Sequence, residues 1–101
     1  MNQFGIKIKE LRIKQGLLQK HIASSLNIDT PMLSKIERGE RKAKREQIEI
    51  FSQILSFNKD DLLSLWLADQ ICYIVRDENV ALKAIHVAEK EIKYKTVNNE
   101  F

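Results

Sequence analysis

The sequence predicts an all-α fold built around one hydrophobic core. Apolar residues recur every three or four positions along most of the 101-residue chain, which is the spacing of an amphipathic helix. Only three glycines and one proline are present, too few for the many turns of an all-β fold of this length. Hydrophobic residues at 44% and charged residues at 31% give the balance of a globular chain rather than a disordered one.

The first helix is predicted over residues 2–15. Phe4, Ile8 and Leu11 recur at helical spacing, with basic residues between them. Gly16 is expected to end the helix, because glycine readily adopts the positive φ found just beyond a helix C-terminus.

The next two helices are short, and a tight turn joins them. The second is predicted over residues 19–26, with its apolar residues on one side. The third is predicted over residues 30–38, because Asp29 and Thr30 are both good N-caps and Pro31 suits the first turn, where its missing N–H costs nothing.

Two further helices follow a charged loop at residues 40–45. The fourth is predicted from the apolar repeat that runs from Ile48 to Leu55. Asn58 followed three residues later by Asp61 resembles a capping pair, so a fifth helix should begin there. Its apolar residues, between positions 62 and 75, cover more than one face, which is more than a small monomer needs to bury.

Charge divides the chain into two unlike parts. Residues 1–58 carry 11 Lys and Arg against 6 Asp and Glu, whereas residues 59–101 carry 6 against 8. A basic first part suggests a polyanion as partner. The single cysteine and the lack of a signal-peptide pattern at the N-terminus predict a cytoplasmic protein, and no apolar run approaches the roughly 18 residues that would span a membrane.

Residues suited to catalysis are scarce. His21 and His86 are the only imidazole bases, and Cys72 lies in an apolar segment without a partner nearby in sequence. No paired Cys and His spacing suggests zinc, and no glycine-rich loop could cradle a phosphate. We therefore expect no enzymatic activity, no cofactor and no metal.

Two short helices joined by a tight turn in a basic region can place the second helix in the major groove of DNA. A purely structural helical bundle would give much the same pattern. Two strings are more specific: GLLQKHIA at residues 16–23 and LSKIERGE at residues 33–40. They resemble the Xre family, the helix-turn-helix domain of phage Cro and repressor proteins. The resemblance covers roughly residues 6–63 and implies a five-helix, Cro/repressor-type DNA-binding domain, here with an additional C-terminal helix.

The resemblance also implies roles for individual residues. Gln19 opens the second helix of the motif and is expected to contact phosphate, where free helix N–H groups and the helix dipole also favour an anion. Lys20, beside it, is expected to do the same. Arg12 and Glu37 match an internal ion pair of the family, which ties the first helix to the end of the third and serves stability rather than base selection.

Five residues are predicted on the outward face of the third helix, the recognition helix: Thr30, Pro31, Met32, Ser34 and Lys35. Lys35 would donate to guanine O6 or N7, or else to a phosphate. Pro31 and Met32 have no conventional donor, so they would lie on thymine methyl groups, unless Pro31 only starts the helix. For Thr30 and Ser34 the sequence leaves base, phosphate and water open as partners.

A cluster of basic residues follows the recognition helix, where the family's loop approaches the sugar-phosphate backbone. These side chains are expected to contact phosphates without selecting a sequence, so that binding weakens steeply with salt. The cluster comprises Arg38, Arg41, Lys42, Lys44 and Arg45.

Three positions depart from the family pattern. Leu18 stands where Ser or Thr commonly caps the second helix, so that either the helix start is looser or Leu18 is covered. Asn27 replaces the frequent glycine of the turn, which is tolerable because asparagine accepts the left-handed conformation. Ala43 stands where proline often precedes the fourth helix.

The last third of the chain is predicted to form a homodimer. A sixth helix should start near Asp77, with one apolar stripe, and a second copy is the simplest cover for the surplus apolar surface. The alternative is that these helices fold back on their own domain. We expect a DNA-binding domain at residues 1–63, a dimerising extension at 64–95 and a flexible tail at 96–101. The expected interface consists of Leu65, Trp66, Ala81, Ile85, Ala88 and Ile92.

These expectations combine into a sequence-specific transcriptional regulator that binds a palindromic operator in double-stranded DNA as a homodimer. A second hypothesis is an antitoxin-type module that neutralises a partner protein through its last helices and binds DNA only secondarily.

Overall fold

The structure, a computed structural model, describes residues 2–97, which form six α-helices and no strands. This confirms the all-α prediction. The helices are α1 (Gln3–Lys14), α2 (Gln19–Leu26), α3 (Thr30–Glu37), α4 (Gln47–Leu55), α5 (Lys59–Val75) and α6 (Ala81–Val97).

The helix ends follow the signals in the sequence. The Asn2 side-chain oxygen accepts the Gly5 N–H at 3.2 Å and caps α1. Asp29 caps α3 in the same way, by accepting the Met32 N–H at 2.8 Å. Asn27 has the left-handed conformation between α2 and α3, at φ 57°.

The core lies between the first four helices and the start of α5. α1 and α2 each contact both α3 and α4. The Phe4 and Phe51 rings meet edge to face with their centroids 5.4 Å apart. The most deeply buried large side chains come from all five helices: Ile8, Ile22, Leu33, Ile48, Phe51, Leu55 and Leu62.

α5 also fastens the N-terminus of α1. The Asp69 carboxylate accepts the N–H of Gln3 at 2.8 Å and the N–H of Phe4 at 3.0 Å. These N–H groups have no partner within α1, and the negative charge lies at the positive end of the helix dipole. In the sequence, Asp69 only interrupts an apolar run; the structure makes it a cap supplied by a distant helix.

The chain divides into two compact units after Ile71. In the second unit, α6 begins at Ala81 and not near Asp77, because a turn in which the Glu78 carbonyl accepts the Ala81 N–H at 3.2 Å comes first. No residue of α6 is buried. Thr96 and Val97 belong to α6 rather than to the predicted tail, whose other residues, 98–101, lie outside the described part of the chain. No helix within residues 2–97 is long and apolar enough to cross a bilayer.

Candidate nucleic-acid interface

The recognition helix α3 has a buried side and an open side. Leu33 and Ile36 are fully covered by the core. Pro31, Lys35 and Arg38 are exposed and follow one another at intervals of four and three residues, so they share one face of the helix and its C-cap. This strip is the part of α3 that a large ligand can reach.

The other predicted base-contacting residues lie at the margins of the strip. Thr30, Met32 and Ser34 are half-buried. Met32 contacts the hydrophobic core of its own domain. The Ser34 hydroxyl accepts a hydrogen bond from Nη1 of Arg38, one turn further along. Lys35 is thus the most accessible donor among the five predicted residues.

A buried network supports α3 from behind. Glu37 is only 4% exposed. Its carboxylate accepts from Arg12 Nε at 2.7 Å and from Arg12 Nη2 at 3.1 Å, a forked ion pair between α1 and α3. Gln19 Nε2 donates to the same carboxylate at 2.9 Å. The amide of Gln19, expected to face phosphate, therefore also holds the start of α2 against the end of the recognition helix.

The C-terminus of α3 lies unusually close to the N-terminus of α1. Asn2 Nδ2 donates to the Glu37 carbonyl at 2.9 Å. A Cβ on Gly5 would lie 2.5 Å from the Ile36 carbonyl oxygen, closer than such atoms can approach. Asn2 and Gly5 were not recognised as site residues in the sequence. Only the N-cap role of Asn2 had a signal there, since a capping residue precedes the first apolar repeat.

The start of α2 is also part of this surface. Lys20 is exposed. Leu18 is 53% exposed, so it is not covered, and it makes no side-chain cap. His21 compensates in part, because its Nδ1 accepts the Leu18 N–H at 3.3 Å.

The loop at residues 40–45, which we call the basic loop, follows directly on α3. Its four cationic side chains are all exposed: Arg41, Lys42, Lys44 and Arg45. Arg38, just before the loop, is also exposed but forms an ion pair with Glu40. The basic loop therefore presents its positive charges to solvent beside the open strip of α3.

The middle of the basic loop is anchored. Ala43 is buried at 2% exposure, and its carbonyl accepts the indole N–H of Trp66 at 2.8 Å. The Lys42 ammonium lies 5.8 Å from the centre of the same indole ring. The sequence suggested a dimer contact for Trp66 and carried no sign of this internal role, because the two residues are 23 positions apart.

The predicted dimer residues fall into two groups. Leu65 and Trp66 are half-buried and contact the core of the first unit. Within the second unit, Ile85, Ala88 and Ile92 are exposed and Ala81 is half-buried. Other large apolar side chains of that unit are exposed as well: Tyr73, Ile74, Val80, Leu82, Val87, Tyr94 and Val97.

Comparison with known proteins agrees with this geometry. A family model described as Helix-turn-helix matches residues 8–62, more than half of the chain and the span from α1 to the start of α5. No curated protein and no solved structure gives a significant match. Among the described residues, no group of three or more His, Cys, Asp or Glu side chains could hold a metal ion.

Proposed function

Because the chain belongs to the Xre/Cro-type helix-turn-helix family, we propose that it regulates transcription by binding a palindromic operator as a homodimer. Membership of the family makes it a DNA-binding regulator in general. The operator, the symmetry and the individual contacts are our proposals, and the observation that carries them is the open strip of α3 beside the exposed cations of the basic loop.

Lys35 is the residue we assign to base recognition. It is exposed in the middle of the open strip, and the major groove, about 12 Å wide, admits a helix of this kind. Its ammonium donates to guanine O6 or N7. Thr30, Pro31 and Ser34 contact base edges or phosphates beside it, whereas Met32 packs against the core of its own domain and is left with only a marginal contact.

The phosphate contacts come from both sides of α3. Gln19 and Lys20 approach one strand from the start of α2. Binding then depends steeply on salt, because each phosphate neutralised releases counterions. On the other side, the residues we assign to phosphate are Arg38, Arg41, Lys42, Lys44 and Arg45.

Dimerisation is assigned to residues 64–95, and DNA binding to residues 1–63. Support comes from α6, whose Ile85 and Ile92 are exposed and share an apolar stripe with Ala81 and Ala88. A two-fold axis would present two recognition helices to successive major grooves, roughly 34 Å apart. Leu65 and Trp66 are left with a smaller part in the interface, since both already contact their own core.

The same exposed apolar residues favour a second candidate function. An antitoxin-type protein would use α6 to bind and neutralise a different protein, with DNA binding secondary. A homodimer has twice the 11.8 kDa mass of the chain in light scattering at micromolar concentration. A monomer that dimerises at no concentration tested, yet captures a defined partner in equal amounts, would favour the second candidate.

Ile92→Asp tests the dimer, with Ile6→Asp as its matched control. The two side chains are equally exposed, at 55% and 56%, but lie on α6 and α1 respectively. We expect Ile92→Asp to be monomeric and Ile6→Asp to remain dimeric, because only the first introduces a charge into the proposed interface. Dimers of undiminished affinity from Ile92→Asp would contradict the assignment.

Lys35→Ala tests base recognition, with Lys83→Ala as its control. Both lysines are exposed, and both changes remove one positive charge. The ligand is a duplex selected from a random pool by the wild-type chain, and its affinity is measured by fluorescence anisotropy. We expect Lys35→Ala to bind it roughly 5- to 150-fold more weakly, since a base contact is worth about 1–3 kcal/mol, and Lys83→Ala to bind normally. Weak binding that is equal for all sequences, by wild type and variant alike, would refute the proposal.

A further inference from the structure

We infer that Trp66 is a positioning residue for DNA binding: its indole holds the basic loop in the conformation in which the loop's cations face the phosphates. This inference rests on the proposed function. It assigns Trp66 chiefly to the DNA-binding surface rather than to the dimer interface expected from the sequence.

The first observation is the anchoring of Ala43. Its methyl group is in the core, and its carbonyl accepts the Trp66 indole N–H at 2.8 Å. Both the side chain and the backbone carbonyl of Ala43 are therefore held by the folded domain. A buried carbonyl without a hydrogen-bond donor would be unfavourable. The indole N–H is the donor that a backbone N–H would provide in a regular helix or strand.

The second observation is the arrangement of charges around that anchor. Arg41 and Lys42 precede Ala43, Lys44 and Arg45 follow it, and all four are exposed. The Ala43 anchor therefore holds the middle of the loop, between two ends that are held locally: the Lys35 carbonyl accepts the Arg41 N–H at 3.3 Å, and Gln47 Oε1 accepts the Lys44 N–H at 2.9 Å. Loops without such an anchor sample many conformations, and DNA would have to select one of them at an entropic cost.

The third observation is the position of Lys42 over the Trp66 ring. Its ammonium lies 5.8 Å from the ring centre, within the roughly 6 Å of a cation–π contact. The charge stays partly oriented but still hydrated, since the residue is exposed. Trp66 thus orients Lys42 directly and holds the backbone between the two pairs of cations.

Trp66 is also the only tryptophan in the chain, so tryptophan emission reports on the surroundings of this one indole. Adding the selected duplex to the wild-type chain should change the wavelength or intensity of emission, because phosphates displace water and ions around Lys42. Dilution without DNA, across the range in which the dimer dissociates, should change the emission much less than DNA does. This titration needs no variant.

Trp66→Phe removes the indole N–H and keeps an aromatic ring in its place. We expect it to weaken binding to the selected duplex and to a scrambled duplex by the same factor, about two- to tenfold, and so to leave the preference between them unchanged. A base-reading residue would alter that preference. Ile54→Ala, at a residue of α4 that is likewise half-buried against the same core and has no part in the proposed interfaces, controls for a loss of stability. At a temperature where all chains are folded by circular dichroism, it should bind DNA normally.

The outcomes separate the two proposals. Wild-type affinity of Trp66→Phe for both duplexes, with Lys35→Ala still defective, would overturn the role of Trp66 and leave the proposed function standing. Emission that changes on dilution but not with DNA would also overturn it, in favour of a dimer contact. A wild-type chain that selects no duplex at all would refute the proposed function itself, and the role of Trp66 with it.

Discussion

Replacing Arg12 with methionine should strongly destabilise the domain, because Arg12 is the ionic partner of the buried Glu37. Methionine keeps much of the length of the arginine stem but removes both hydrogen bonds to Glu37, at 2.7 and 3.1 Å. The carboxylate, in a residue only 4% exposed, is then left with a single donor, Gln19 Nε2. Water cannot reach it well enough to replace the guanidinium.

The magnitude follows from that burial. Removing one partner of a buried ion pair typically costs 3–5 kcal/mol, because the remaining charge is uncompensated. We expect about 3 kcal/mol here, the lower end of that range, since Gln19 remains and the Arg12 side chain is itself 13% exposed. For a domain of this size the midpoint of thermal unfolding should fall by roughly 12–24 °C.

Urea denaturation followed by far-ultraviolet circular dichroism measures this change directly. The double variant Arg12→Met/Glu37→Met should recover most of the lost free energy of unfolding, because no buried charge is then left without a partner. Arg12→Lys should fall between wild type and Arg12→Met, because an ammonium cannot make the forked contact. A loss below about 1 kcal/mol in Arg12→Met, or a double variant no more stable than the single one, would refute the reasoning.

Three further predictions concern neighbouring parts of the domain. Asp69→Ala should cost about 1–2 kcal/mol in the same denaturation assay, because the first N–H groups of α1 lose a charged acceptor; a loss no larger than that from exposed Glu10→Ala would contradict this. Gly5→Ala should both destabilise the domain and weaken operator binding, because the added methyl group would displace the end of α3, whose Ile36 carbonyl lies 2.5 Å away; normal affinity in a folded variant would exclude that coupling. Arg45→Ala should reduce by about one the slope of log affinity against log salt, measured by anisotropy, while an unchanged slope would exclude a phosphate contact.

Helix positions and the recognition motif were predictable because their signals are local. Asp29, Pro31 and Asn27 each act on backbone groups within three residues of themselves. The helix ends that they set can therefore be deduced from neighbouring residues. The sixth helix was placed too early for the same reason. Asp77 and Glu78 are good helix-starting residues, but a turn through residue 80 delays the helix to Ala81.

The candidate site was predictable only on its outer side. Lys35 and the cations of the basic loop are exposed, as expected from the motif and its charge. The supporting contacts were not predictable, because they join residues that the fold brings together from distant positions. Trp66 lies 23 residues from Ala43, and Asp69 lies 66 residues from Gln3.

The all-α class, the two short helices with their turn and the family all follow from the sequence, since periodicity, caps and motif are properties of neighbouring residues. Three contacts are visible only in the folded chain: Met32 packs against the core, Gln19 joins the ion pair behind the recognition helix, and Trp66 anchors the basic loop. Burial and hydrogen-bond partners depend on which residues the fold brings together from distant positions in the chain. A pattern of neighbouring residues does not contain that information.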